Sequence, residues 1–464
     1  MLQQIQSALG AFKAYDVRGL VGEQITDEFV AAVGASFARL MKHEHGAGDC
    51  RVVVGHDMRD SSPRLVAAFT EGVIDQGLDV IQIGLASTDQ LYFASGLFHC
   101  PGAMFTASHN PASYNGIKLC RASAKPMGAD TGLHLIRDEV TDGVPAFTGQ
   151  PGSVTATDVL GTYATFLHSL VDLSGSWELR VAVDAGNGMA GLTAEPVLGK
   201  IPGITLLPLY FELDGTFPNH EANPLDPANL VDLQRHVLAT GADIGLAFDG
   251  DADRCFVIDE CGRPVSPSAV TAIIAARELH REPGASVIHN LITSRAVPEL
   301  IAERGGTAVR SRVGHSYIKG LMAETGAIFG GEHSAHYYFR DFWGADSGML
   351  AALHVLAALG GEERPLSALI GEHDRYAASG ELNFTVAHSA PCVAAVLKAF
   401  EGRMVSVDHL DGVTVALDDG AWFNLRTSNT EPLLRLNVEA DCADDVDHLV
   451  SAIGETILAT AEGR

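Results

Sequence analysis

The sequence predicts a multidomain α/β protein, with three related α/β domains followed by a smaller α+β domain. A strand–helix–strand order recurs three times, the C-terminal stretch changes to strands in series, and 464 residues exceed what one hydrophobic core usually supports. Length alone gives a prior of about three or four domains.

In the first unit, Phe29, Val30, Val33, Phe37, Leu40 and Met41 fall at helical spacing, with Asp27 and Glu28 in the first turn opposing the helix dipole. The run 51–55 predicts a strand, Ser61-Ser62-Pro63 an N-cap with proline at the helix start, and 79–83 a second strand. The same order returns as a strand at 180–183, a helix ending near Val197 and a strand at 205–210. It returns again at 286–289, 294–304 and 307–310. Segments 382–386, 413–417, 422–425 and 433–438, with a helix near 393–400, predict an antiparallel sheet with helices. Turn-rich polar stretches place the expected domains at 1–151, 152–259, 260–372 and 373–464.

Composition narrows the function. Hydrophobic residues make up 47% and charged residues 19%, as in a globular chain. No apolar run is long enough to cross a bilayer and no basic, apolar leader opens the sequence, so a soluble, cytoplasmic protein is expected. Seven cysteines with no Cys-x-x-Cys pair read as reduced thiols rather than a zinc site. A net charge of −27 argues against nucleic-acid and acidic-membrane partners. It leaves room for a small phosphorylated substrate held by local arginine, lysine and metal.

Four polar loops, each bounded by apolar runs, carry the candidate chemistry. In Thr106-Ala107-Ser108-His109-Asn110-Pro111 a serine follows a short apolar run, in a sharp loop at a strand end where α/β sites form. A serine hydroxyl is a weak nucleophile without a base or metal, and His109 and Lys118 stand near it in sequence. Taken alone the segment reads equally well as an ordinary Asn-Pro turn.

Asp249, Asp251 and Asp253 follow the apolar run 244–248. In a flat strand such side chains lie ~6.6 Å apart, too far for one Mg²⁺ with bonds of about 2.1 Å, so the chain must curl. Gly250 and Ala252 leave room for that curl. The aspartates and Glu260 also match four positions of a calcium-hand loop, but Arg254 stands where that loop needs glycine, and the flanks read as strands. A metal loop with a position open to a phosphate oxygen, and Arg254 sharing the charge, fits better.

Arg426-Thr427-Ser428-Asn429-Thr430 offers a guanidinium, hydroxyls, an amide and successive N–H groups, which suits a phosphate. Gly331-Glu332-His333-Ser334-Ala335-His336 offers Glu332 and Ser334 to sugar hydroxyls and His336 as an acid or base. Each is also a common kind of turn.

In this order the four loops resemble the α-D-phosphohexomutase family, especially its bacterial phosphomannomutase/phosphoglucomutase branch. The resemblance spans the chain from Ala14-Tyr15-Asp16-Val17-Arg18-Gly19 to the last loop, and the stretch 331–343 looks most like actinobacterial phosphomannomutases. It implies four domains around a central cleft, the first three built on mixed sheets sandwiched by helices, each domain giving one loop. Ser108 would be the phosphorylated serine, and Asp249, Asp251 and Asp253 would hold Mg²⁺ together with an oxygen of that phosphoserine. Glu332 and Ser334 match the sugar-recognition loop, and Arg426, Ser428, Asn429 and Thr430 the loop that grips the non-reacting phosphate. Arg18, His109, Lys118 and Arg254 match residues around the phosphoserine, and His315 and His336 match polar groups near the sugar, Lys118 and His336 being the candidates for proton transfer.

The implied reaction interconverts mannose 1-phosphate and mannose 6-phosphate through a hexose 1,6-bisphosphate, which is both intermediate and activator. A phosphoglucomutase or dual-specificity mutase is the alternative within the fold, since one hydroxyl's orientation separates the sugars. Phosphoglucosamine mutase and metal-dependent phosphohydrolase are further alternatives. The chain departs from the family pattern at Ala252 and Ala335, where glycine is frequent, at 290–293, which lacks a lysine seen in some dual-specificity members, and at His333, where amino-sugar mutases carry glutamine. Monomer and dimer are both left open.

Overall fold

The structure, a computed structural model, describes residues 8–45, 51–174, 178–361, 363–427 and 432–462, without the side chains of His45, His315 and Ser316. Among these residues the strands form four sheets, and the first three share one core topology. The first sheet runs Tyr114–Arg121, Gly102–Phe105, Arg51–His56, Asp79–Leu85, the second Cys255–Asp259, Ile244–Phe248, Leu179–Asp184, Ile204–Leu209. The third repeats it as Tyr337–Phe339, Phe329–Gly331, Ser286–Asn290, Thr307–Ser311. In every case the inner three strands are parallel and the outermost turns back as an antiparallel hairpin. The three strand–helix–strand units read from the sequence are the parallel pairs of these sheets.

Extra edge strands carry two sheets past their expected ends. Val154–Ala156 pairs in parallel with Asp79–Leu85, so the first sheet extends beyond residue 151. Pro264–Val265 pairs with Cys255–Asp259, so the second extends beyond 259. In both places the polar stretch chosen as a linker leads into one more ladder.

Central strands are apolar on both faces, as parallel strands covered by helices must be. Val52, Val54, Ala103 and Phe105 face one apolar cluster, under the helices Asp27–His45 and Ser62–Asp75. Val53 and Met104, one residue out of step, face a second cluster that continues without a break into the second and third domains. Those two helices cross at close range because small residues line the contact: a Cβ on Gly72 would stand 2.0 Å from the Ala31 carbonyl oxygen. Ser61, expected to cap Ser62–Asp75, has helical backbone angles and makes no side-chain cap; its hydroxyl accepts from Asn115 Nδ2 at 2.8 Å instead.

The fourth sheet is antiparallel throughout, in the order Ala377–Thr385, Leu433–Ala440, Trp422–Thr427, Val413–Leu417, Met404–Asp408. Helices Ser389–Phe400 and Ala443–Ala461 cover it, around an apolar cluster of its own. Its seam with the third domain is polar. Arg295 lies 3.7 Å from the centre of the Tyr376 ring and bonds Asp441, Arg310 pairs with Asp408, and Val313 N donates to Asp411 Oδ2 at 3.1 Å. No helix among the described residues is long and apolar enough to cross a membrane.

Replacing Gly72 with alanine forces the two first-domain helices apart, an overpacking cost of about 1–3 kcal/mol. The midpoint of thermal unfolding in calorimetry should fall by a few degrees, and an unchanged midpoint would show that the crossing tolerates a methyl group.

Candidate active site

Shared topology decides where the site forms. The Ser108, Asp249 and Glu332 loops are each the hairpin between the last parallel strand and its antiparallel neighbour, and they meet. Ser108 takes φ +49°, a left-handed backbone costly for serine. Arg59, whose side chain is 1% exposed, braces that turn. Its Nη2 donates to the carbonyls of Ser108 (2.9 Å) and Asn110 (2.7 Å), its Nη1 to those of Pro111 (2.8 Å) and Tyr114 (3.1 Å), and its Nε to Asp57 Oδ2 (3.1 Å). The guanidinium thus ties the whole turn to the end of the neighbouring strand Arg51–His56.

The braced hydroxyl of Ser108 donates to Asp249 Oδ2 at 2.8 Å. Asp249, Asp251 and Asp253 are buried, and one carboxylate oxygen from each lies within 4.8 Å of the others. The curl expected of this loop is present, with Ala252 at φ +60°. A Cβ on Gly250 would come 2.5 Å from the Ser108 carbonyl oxygen, so glycine lets the Ser108 loop rest on the aspartate loop. Arg254 Nε donates to Asp249 Oδ2 at 2.9 Å, and Lys118 Nζ to Asp251 Oδ2 at 2.7 Å and to Asp253. Asp251 Oδ1 and Asp253 Oδ1 are buried without a hydrogen bond. Orphaned hard oxygens beside a third carboxylate suit a divalent cation such as Mg²⁺.

Charge balance sets the protonation states. Burial, joined by the repulsion of its two neighbours, pushes the Asp249 carboxyl up against the pull of Arg254. Burial alone would lower Lys118, but Asp251 and Asp253 outweigh it and hold the ammonium charged. Burial, helped by Arg254 and Arg18, takes His109 down to about 3, so its ring is neutral and its Nδ1 accepts from Arg254 Nη2 at 2.8 Å. His109 Nδ1 also lies 3.3 Å from Ser108 Oγ. Arg18 Nη1 donates to Asn110 Oδ1 at 2.7 Å, which closes the first-domain side of the site.

The third-domain loop is stitched to the aspartate loop through its backbone. Arg254 and His336 form a β-bridge, and Cys255 N donates to the Ala335 carbonyl at 3.4 Å. Ala335, at φ +63°, takes the left-handed turn for which glycine would be the easier choice. His336 Nε2 stands 3.7 Å from Asp253 Oδ1, and its Nδ1 lies 3.1 Å from Ser334 Oγ. Glu332 is buried and accepts from Tyr338 OH at 2.8 Å and Gly314 N at 3.1 Å. His333, taken down to about 3 by burial and then by the charge of Arg426, contacts Asn290 Nδ2 at 3.0 Å. Asn290, at the start of the run without the lysine, therefore supports the loop 331–336.

Of the residues expected from sequence, Ser108, His109, Lys118, Asp249, Asp251, Asp253, Arg254, Arg18, Glu332, Ser334 and His336 gather here. Arg426 is the penultimate residue of its strand on the fourth sheet, where Nη2 donates to Glu381 Oε2 at 3.0 Å. Ser428, Asn429, Thr430 and the side chain of His315 lie outside the described residues. Sequence reasoning passed over Arg59, Thr88, Asn290 and Tyr338. A signal existed for the first two: Asp57-Met58-Arg59 directly follows one parallel strand and Ser87-Thr88-Asp89 follows another after a single residue, the end at which α/β sites form.

A serine hydrogen-bonded to a buried carboxylate triad, with lysine and two arginines around it, is equipped for phosphoryl transfer. Models of the phosphoglucomutase/phosphomannomutase family match in four successive pieces: alpha/beta/alpha domain I at residues 10–143, domain II at 162–262, domain III at 267–376 and the C-terminal domain at 381–455. The chain belongs to the α-D-phosphohexomutase superfamily, and is an enzyme of its phosphotransferase/isomerase class. It is 40% identical to the phosphohexose mutases protein of Xanthomonas campestris pv. campestris over 93% of this chain and 95% of that one. It is 36% identical to a phosphomannomutase of Escherichia coli K12, over 93% and 95%. A crystal structure of a phosphoglucomutase/phosphomannomutase family protein from Burkholderia thailandensis superposes with a TM-score of 0.87 at 31% identity, covering 98% of each chain.

Lysine at position 59 cannot reach four carbonyls at once, and each buried acceptor left alone costs about 1–3 kcal/mol. Arg59→Lys should therefore reduce kcat by roughly tenfold or more with a smaller change in KM. Turnover equal to the parent would mean that the Ser108 turn holds itself.

Proposed function

We propose that this enzyme is a phosphomannomutase that interconverts mannose 1-phosphate and mannose 6-phosphate through phosphoserine 108. The observation that carries the reading is the Ser108 hydroxyl on Asp249, 2.8 Å away, in a triad with two orphaned oxygens. Asp249, Asp251 and Asp253 would hold Mg²⁺, which when bound neutralises phosphoryl charge.

In the first half-reaction the P–Oγ bond of phosphoserine 108 breaks as a P–O bond forms to the sugar's free 6-hydroxyl, whose proton leaves to a nearby acceptor. Arg254 is placed to balance the charge left on Oγ, because it already bonds the carboxylate that receives the serine hydroxyl. Lys118, held cationic by two carboxylates, serves as charge neutraliser and, as the family resemblance implies, is a candidate for proton transfer. His336 lies between Ser334 and Asp253, where the sugar loop meets the metal loop, and is the better placed proton acceptor. The second half-reaction reverses these steps on the other end of a hexose 1,6-bisphosphate. Glu332 and Ser334 orient the sugar, while Arg426, Ser428, Asn429 and Thr430 grip the phosphate that is not reacting.

The mannose assignment rests on relatives named phosphomannomutase, and a glucose-accepting enzyme is the second reading, since the sugars differ only at C2. Supplying Mg²⁺, a trace of hexose 1,6-bisphosphate and either mannose 1-phosphate or glucose 1-phosphate, while following free phosphate, separates the readings. The expected result is faster isomerisation of the mannose ester without phosphate release. A larger glucose rate would reassign the sugar, and phosphate release without the 6-phosphate product would make the protein a hydrolase.

Ser108→Ala should lower turnover by orders of magnitude while sugar-phosphate binding by calorimetry survives; near-normal turnover would remove the phosphoserine. Asp251→Asn should raise the Mg²⁺ concentration needed for half-maximal rate and lower that rate, and an unchanged Mg²⁺ titration would count against the metal loop.

A further inference from the structure

The metal loop belongs to the second domain, yet one of its carboxylates is fixed by the first. Thr88 begins the helix Thr88–Phe98, just after the strand Asp79–Leu85, and is fully buried. Its backbone N donates to the Asp251 carbonyl at 3.0 Å, and its Oγ1 to Asp251 Oδ2 at 2.5 Å. Lys118 Nζ bonds the same Oδ2 at 2.7 Å. Two donors thus occupy one oxygen of this carboxylate, and the other, Oδ1, is buried with none.

Thr88 stands between two residues that are held from three domains. Ser87 caps the helix through Gln90 N at 3.3 Å and bonds Asp89, which also accepts from Tyr163 OH at 2.7 Å and from Ser347 Oγ at 2.6 Å. These partners come from the first, second and third domains, so the Thr88 hydroxyl is delivered at a fixed point. Lys118 cannot give the same definition, because its ammonium is shared with Asp253 and sits on a flexible stem.

We propose that Thr88 is a positioning residue that selects the metal-binding oxygen of Asp251: by engaging Oδ2 it turns Oδ1 toward the opening of the triad. This rests on the metal-loop reading above. Outer-shell partners of metal-binding side chains typically change affinity by about 10–100-fold when removed. Valine has nearly the shape of threonine and keeps the backbone bond to Asp251, so Thr88→Val removes the hydroxyl alone.

The test is Mn²⁺ binding to the full-length protein, measured by water-proton relaxation and without turnover, for the parent, Thr88→Val, Thr88→Ser and Asp251→Asn. The expected result is a Kd raised roughly tenfold or more by Thr88→Val, near-parental affinity for Thr88→Ser, and little binding to Asp251→Asn. Equal affinity of Thr88→Val and the parent, with Asp251→Asn impaired, overturns the role of Thr88 and leaves the metal loop standing. No Mn²⁺ binding by the parent overturns both. If valine crowds the helix start and the variant fails to fold by circular dichroism, Thr88→Ala carries the same comparison.

Discussion

Three carboxylates buried within reach of one another repel, and the surrounding architecture answers that repulsion. Lys118 comes from the first domain and Arg254 from the metal loop itself, and each pays for part of the desolvation by pairing. The remaining imbalance is where a divalent cation belongs. Placing the balancing charges on different domains makes the site a structural joint as well as a reaction centre. Removing one of them leaves a buried charge unpaired, which costs far more than a surface ion pair ever returns.

The joint works because three domains were given one topology and three different loops. The hairpin at the end of the last parallel strand carries Ser108 in the first, the three carboxylates in the second and Glu332, Ser334 and His336 in the third. A single apolar cluster runs through all three and fixes their mutual placement, so atoms from separate sheets can be held to hydrogen-bonding tolerance. Strain is spent where the loops turn. Ser108, Ala252 and Ala335 all adopt left-handed backbone, each in a different one of the three loops.

Much of this was legible in the sequence because it depends on local pattern. Hydrophobic periodicity located the parallel strands and their helices, and the polar clusters after apolar runs marked the loops, down to the curl at Gly250 and Ala252. What escaped depends on contacts between segments far apart. Arg59 and Thr88 stand after parallel strands, which marks them as near a site, but nothing in the sequence says that the guanidinium reaches residues 108–114 or that the Thr88 hydroxyl meets Asp251. Ser61 shows the reverse error, a correct capping pattern overridden because Asn115 claims its hydroxyl. The strand Met404–Asp408 also passed unseen, since its burial is partial and its pattern weak, and the helix Ala443–Ala461 was likewise not called.

The fourth domain stands apart in one respect: it keeps its own apolar cluster and meets the third through arginines, acids and a stacked tyrosine. A contact made of such groups can be exchanged for water at small net cost, because each partner is solvated once released. An apolar contact of the same area would expose surface at ~25 cal/mol per Å². This seam is therefore thermodynamically softer than the apolar packing that joins the other three domains, and its softness is tunable by ionic strength. Rising salt therefore loosens the attachment of the fourth domain before it disturbs the body formed by the other three.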